Sequence, residues 1–225
     1  MKRVPCIAPI SSPARAKTMA YGCGAARWTA LTLCMLMLAA CSPPTVPDVT
    51  YFRLPPAAKV ERLPKPLSVL PIEVETFRAE GVYAEQAVLY ATTPDAGALR
   101  AYHYQLWSDP PSRTLQERLT LRLRETGIAP LVTDRLPASV QALHVKGRIR
   151  RYERVQQAQG VIAQVEFEMR VEQDSGEPLL EQSYSAEQAA ANDTMSATAQ
   201  AFAAAVDAVF AKFQADFIAL EGGKP

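Results

Sequence analysis

Apolar residues recur along this chain at two periods, and the switches between those periods mark out its elements. The first β-rich run is Leu67 to Val74, carried by Leu67, Val69, Leu70, Ile72 and Val74. Ala87 to Thr92 and Leu99 to Trp107 follow as predicted strands, separated by the turn signal Thr93-Pro94-Asp95-Ala96-Gly97. The period then becomes helical. Asp109 is placed to accept the free amide hydrogens of a first turn, and Pro110 after it has no amide hydrogen to leave unpaired. Leu115, Leu119 and Leu123 repeat on one face and Gly127 supplies the stop, so the segment predicts an amphipathic helix that must pack on a sheet.

Strict alternation returns from Leu143 to Tyr152, with Leu143, Val145, Gly147 and Ile149 on one face and His144, Lys146, Arg148 and Arg150 on the other. Val161, Val165, Phe167, Met169 and Val171 form the apolar face of the next run, with Glu166, Glu168 and Glu172 outward. A loop around Gln156 to Gly160 closes these into a hairpin that sets Arg150 opposite Glu166 and Arg148 opposite Glu168. Such pairs contribute a few tenths to about 1 kcal/mol each and help fix the register. Asp174-Ser175-Gly176-Glu177 turns the chain into a third strand near Leu179 to Ser185. A long helix then starts near Asp193 or Thr194, with Met195, Ala199, Phe202, Val206, Val209, Phe213 and Phe217 in one apolar stripe and Gly222 and Gly223 at its end. The expected fold is α/β: a single domain over residues 67–221, with a mixed, largely antiparallel sheet against two main amphipathic helices and a tail at 222–225.

Residues 1–40 have a different character. Five basic residues and no acidic ones precede the uncharged stretch from Trp28 to Ala40, which has the length of a secretory signal and is too short for a spanning helix. Met19 is an alternative start, since residues 19–41 alone make a complete signal. The run Leu38-Ala39-Ala40-Cys41 resembles the bacterial lipobox, in which the cysteine thiol takes a diacylglyceryl group and the freed amine is then acylated. Cys41 is therefore the expected lipid attachment point, with no other cofactor implied. Two or more acyl chains, at about 0.8 kcal/mol per buried methylene, make a stable anchor. Ser42 is not the aspartate that retains many lipoproteins in the inner membrane, so the expected location is the periplasmic face of the outer membrane. Pro43, Pro44, Pro47, Pro55, Pro56, Pro64 and Pro66 make residues 41–66 a proline-rich tether, interrupted by Tyr51-Phe52-Arg53-Leu54, which reads as a short strand or docking segment.

Cleavage before Cys41 changes the charge and cysteine balance. It leaves 185 residues with 19 basic and 23 acidic side chains, a net charge of −4 that argues against broad nucleic-acid binding. Cys6, Cys23 and Cys34 leave with the signal, so a mature chain has no second cysteine for a disulfide. The two histidines, His103 and His144, have no metal-ligand spacing, and no phosphate-cradling glycine-rich loop is present, which points away from an enzyme and from an ATPase. Lys146, Arg148 and Arg150 form a candidate headgroup or partner patch.

The lipobox cysteine, the Tyr51-Phe52-Arg53-Leu54 segment, the Leu67 to Val74 run and above all Ala101-Tyr102-His103-Tyr104-Gln105-Leu106-Trp107-Ser108-Asp109-Pro110-Pro111 resemble the ABC-type transport auxiliary lipoproteins. The resemblance covers essentially the whole mature chain. The family pattern often has arginine or another polar residue where this chain has Leu106. What the resemblance implies is a non-enzymatic accessory role beside an inner-membrane ABC permease, its ATPase and a periplasmic protein of the mammalian-cell-entry type that carries lipids across the envelope. Trp107, Tyr102 and Tyr104 are then candidate partner contacts, and assembly into a homo-oligomeric ring is open by analogy. Two other readings stay open: an independent periplasmic lipid carrier with an apolar cavity between the Phe-rich helix and the sheet, and a purely structural envelope lipoprotein.

Overall fold

The computed structural model describes residues 46–93 and 97–222. Where the sequence alternates, the chain is extended. Strand β6 (Leu143–Gln157) is the spine of an eight-stranded mixed sheet and pairs antiparallel with β7 (Gly160–Gln173), which pairs antiparallel with β8 (Pro178–Ala189). The other side of β6 is shared by two parallel neighbours. β2 (Ile72–Val74) lies along its first half and β3 (Ala87–Ala91) along its end. β4 (Arg100–Trp107) runs antiparallel to β3, β1 (Thr50–Phe52) parallel to β4, and β5 (Val132–Thr133) parallel to β2. Helices α1 (Pro111–Thr126) and α2 (Met195–Gly222) supply the rest of the core. Among the described residues no helix is long and apolar enough to cross a membrane.

The helices bury the stripes that their sequence spacing predicts. Leu115, Leu119 and Leu123 of α1 and Phe202, Phe210, Phe213 and Phe217 of α2 are fully buried, each ring or isobutyl group contributing about 1.5–3 kcal/mol. Gly127 ends α1 at φ 69°, the left-handed conformation in which glycine has no Cβ to clash, and its amide donates back to Leu123 and Arg124. Thr194 caps α2, its Oγ1 accepting the Ala197 amide at 3.2 Å.

Four details depart from the sequence expectation. The strand read over Leu67 to Val74 shortens to Ile72–Val74, because Pro71 donates no hydrogen bond and Ser68 Oγ accepts from the Leu70 amide to make a local turn; Val69 is left 90% exposed. Asp109 does not cap α1. Its carboxylate accepts from Ser108 Oγ at 3.1 Å, and the helix begins at Pro111 with Pro110 in the cap position. The hairpin contains a bulge between Ile149 and Arg151, so Arg151, not Arg150, stands opposite Glu166. The bulge absorbs the extra residue, so Tyr152, three positions after Ile149, still faces the core. Finally, Tyr51 and Phe52 lie in the short strand read there, but the docking continues past it into the proline-rich residues expected to be tether. β1 pairs with β4, Arg118 Nη1 donates to the Pro55 carbonyl at 2.7 Å, the Ala58 amide donates to Asp207 at 3.0 Å, and the Leu63 amide donates to Thr126 at 2.9 Å.

The clamp at Pro55 and Ala58 is itself an ion pair. Arg118 of α1 meets Asp207 of α2 through two parallel bonds of 2.8 Å, with side chains 7% and 15% exposed. One bidentate pair thus ties the two helices to each other and to the incoming chain.

Candidate docking surfaces

The face of β6 turned away from the helices carries His144, Lys146 and Arg148, and period-two geometry alone puts them in line. Their surroundings come from distant segments. His144 has Nε2 at 2.8 Å from Asp174 and Nδ1 at 3.8 and 3.9 Å from Glu73 and Glu75. The two ring nitrogens address different carboxylates, and among the described residues no such groups converge as a metal site. Lys146 bonds Glu172 and lies 3.5 Å from Glu75, and the Glu172 hydrogen bond holds its ammonium protonated above the usual lysine range. Glu172 is also ion-paired with Arg170, its Oε2 lying 2.8 Å from Nε. Arg148 is opposite Glu168 in the ladder, as the alternation predicts, yet its guanidinium pairs with Glu80, whose carboxyl that hydrogen bond holds below the usual range.

The result is a continuous, alternating-sign surface with an open depression of about 210 Å³ lined by Arg78, Lys146, Arg148, Glu168 and Glu181. It is not a cationic patch. The expected grouping of Lys146, Arg148 and Arg150 is corrected by the bulge, which sets Arg150 out of the ladder and exposed. Glu73 and Glu75 could have been read as outward neighbours of Ile72 and Val74. Nothing local marks Glu80 or Asp174 as their companions, because the turn and loop that carry them are brought in by the fold.

The aromatic strand β4 divides its residues. Trp107, a candidate partner contact by sequence, is a core residue at 4% exposure. Its ring meets Phe202 edge-on at 5.2 Å and Tyr152 at 5.6 Å. Tyr102 is half-buried against Tyr90, ring centroids 4.5 Å apart. Tyr104 is exposed at 40%, and so is Tyr51 at 60% on the neighbouring strand, where among the described residues β1 pairs only with β4 and forms the sheet's edge. Sequence reasoning had singled out Tyr51 as part of a docked segment but not as a surface residue. Leu38, Ala39, Ala40 and Cys41 lie outside the described residues, as does the tail 223–225.

The space between α2 and the sheet is filled by the protein's own rings. Phe77 packs against Phe167 at 5.9 Å and Phe210 at 6.0 Å, Tyr152 against Phe202 at 4.5 Å, and Phe213 against Phe217 at 5.9 Å and Tyr184 at 6.0 Å. Offset and edge-on contacts at these separations are the normal state of a packed aromatic core.

Comparison with known proteins gives one family and several similar folds. The family model described as "ABC-type transport auxiliary lipoprotein component" matches residues 52–213, from β1 into the last third of α2. A crystal structure of a Xanthomonas campestris protein of the DUF330 family has a TM-score of 0.65 at 17% identity, over 76% of this chain and 96% of that one. A second crystal structure, of an uncharacterized protein, has a TM-score of 0.58 at 15% identity, over 76% and 99% of the two chains. At these identities the likeness is one of fold. No curated protein matches.

Proposed function

The chain belongs to the family of ABC-type transport auxiliary lipoprotein components, and from that premise we propose that it is an outer-membrane-anchored accessory subunit of an intermembrane transport system. Cys41 carries the diacylglyceryl and N-acyl groups. The domain then stands at the periplasmic face of the outer membrane and docks the periplasmic mammalian-cell-entry protein whose inner-membrane permease and ATPase drive the traffic of lipid or another hydrophobic solute. The alternating-sign face around Lys146, Arg148 and Glu172 is the surface offered for that contact. Its charges are already paired and held in place, so a partner meets a fixed pattern of both signs, which favours register and specificity over raw affinity.

The observation that carries a docking role over an independent lipid carrier is the aromatic packing of α2. A carrier needs an apolar space of several hundred Å³ that its own side chains leave free. Here Phe202, Phe210, Phe213 and Phe217 are fully buried and in ring contact with the sheet or with one another. Affinity capture of the mature lipoprotein from detergent-solubilised envelopes, with Cys41→Ala as the mislocalised control, tests the reading. Recovery of a mammalian-cell-entry protein together with its permease supports it. Recovery of stoichiometric lipid without those partners would replace it with the carrier.

A further inference from the structure

We propose that the β1 edge of the sheet, with Val49, Tyr51 and Arg53 and the neighbouring Tyr104, rests on the lipid surface to which Cys41 is attached. This rests on the anchoring stated above. It adds that the domain lies on the membrane by a defined edge and does not swing free on its tether.

Three observations lead there. The first is reach. Tyr51 is ten residues from Cys41 in sequence, and ten residues span at most about 35 Å when fully extended. The edge strand is therefore the secondary-structure element of the domain that lies nearest the anchor along the described chain. The second is composition. Between Cys41 and Tyr51 the only charged residue is Asp48, and Val46 and Val49 lie in the same stretch. A single carboxylate in that stretch offers little repulsion to an anionic lipid surface, and the two valines add apolar area beside the edge.

The third is the pattern of exposure. Tyr51 and Val49 are 60% and 47% exposed, while Phe52, the next residue along, packs against the core. Tyr51 is paired with Leu106 across the ladder, and Tyr104 lies two residues earlier on that same neighbouring strand, itself 40% exposed. Tyrosine combines an apolar ring with a hydroxyl, which suits the boundary between headgroups and acyl chains. Arg53 is exposed, and no ion pair involves it among the described residues, so its guanidinium is available to a phosphate.

The mature lipidated chain, incorporated into vesicles of phosphatidylethanolamine and phosphatidylglycerol with brominated acyl chains, tests the contact by tryptophan quenching. Tyr51→Trp and Tyr104→Trp place reporters on the edge. Val69→Trp is the control. It is 90% exposed and follows Ser68, whose amide donates to the Ile128 carbonyl just past the Thr126 end of α1, the end opposite the Pro111 end that follows β4. Trp107 is buried and serves as the background of the unsubstituted chain. The expected result is loss of emission at positions 51 and 104 and none at 69. No loss at 51, or equal loss at 69, overturns the contact while a chain that still floats with the vesicles keeps the anchor. A chain that does not float overturns the anchor and the contact together. Emission at 51 that lipid leaves unchanged, but that shifts on adding the mammalian-cell-entry protein, assigns the edge to a protein partner and overturns the lipid assignment.

Discussion

Asp207→Ala leaves the Arg118 guanidinium between the two helices with no anion opposite it. In the intact protein Nε and Nη2 each reach a carboxylate oxygen at 2.8 Å, and Arg118 is 7% exposed in its side chain, so water cannot replace the lost partner. Breaking a buried pair from one side costs about 3–5 kcal/mol. Arg118 retains its bond to the Pro55 carbonyl at 2.7 Å, which places the expected loss near 3 kcal/mol at the lower end of that range. For a domain of this size that is a fall of about 6–12 °C in Tm, read by circular dichroism on the mature chain. Replacing both partners, Arg118→Met with Asp207→Leu, removes the stranded charge and should recover most of the loss. The same carboxylate accepts the Ala58 amide, so hydrogen exchange at Ala58 should accelerate in Asp207→Ala even well below the melting range. A Tm within 1 or 2 °C of the parent, roughly the effect of a surface pair, or a double variant no more stable than the single one, would refute the argument that this pair holds the helices and the incoming chain together.

Gly147→Val should be destabilising by about 1–3 kcal/mol, because any Cβ there lands on the Phe77 ring, which is itself wedged against Phe167 and Phe210. Adding Phe77→Leu should make the pair cost less than the sum of the two single changes, measured by denaturant unfolding. Deleting Arg150 should be tolerated, with a Tm close to the parent, since removing the bulge residue leaves Ile149 and Tyr152 in the same inward phase; deletion of Arg148 should not be tolerated, and a comparison of soluble yield and Tm decides between them. Burial raises the phenols of Tyr83, Tyr152 and Tyr184 above the ordinary value of 10.0, with hydrogen bonds to Glu153 and Asp216 adding to the first and third. The fold thus favours the neutral phenol, so this contribution is full below about pH 10 and is lost as pH climbs through the raised folded values. Tyrosinate absorbance from these three should appear only together with the loss of tertiary circular dichroism, and ionisation ahead of unfolding would contradict it.

Much of this protein is legible locally. The alternation in residues 143–149 and 161–171 put each side chain of the central hairpin on its observed face, and the leucine and phenylalanine stripes put the correct faces of both helices into the core. Gly127 and Thr194 marked their helix ends. The aromatic strand running into Pro110-Pro111 carried the resemblance to the family whose model matches residues 52–213. These signals are local because periods of 2 and 3.6 residues, capping and left-handed backbone are properties of a few consecutive residues.

Tertiary structure decided what depends on neighbours far away in sequence. The run from Leu67 looks like one strand until Pro71 and the Ser68 turn confine its pairing to three residues. Trp107 and Tyr104 are both aromatics on one strand. Only the arrival of Phe52, Tyr152 and Phe202 buries the first, and the edge position leaves the second in solvent. Lys146 and Arg148 look like a cationic patch in sequence, but the parallel docking of β2 and the turn at Glu80 bring carboxylates that convert it to a face of both signs. The Arg118–Asp207 pair spans 89 residues and has no local signature at all. Period and capping report how a segment must fold, whereas charge pairing and burial report what the folded chain sets beside it, and only the assembled sheet and helices supply that.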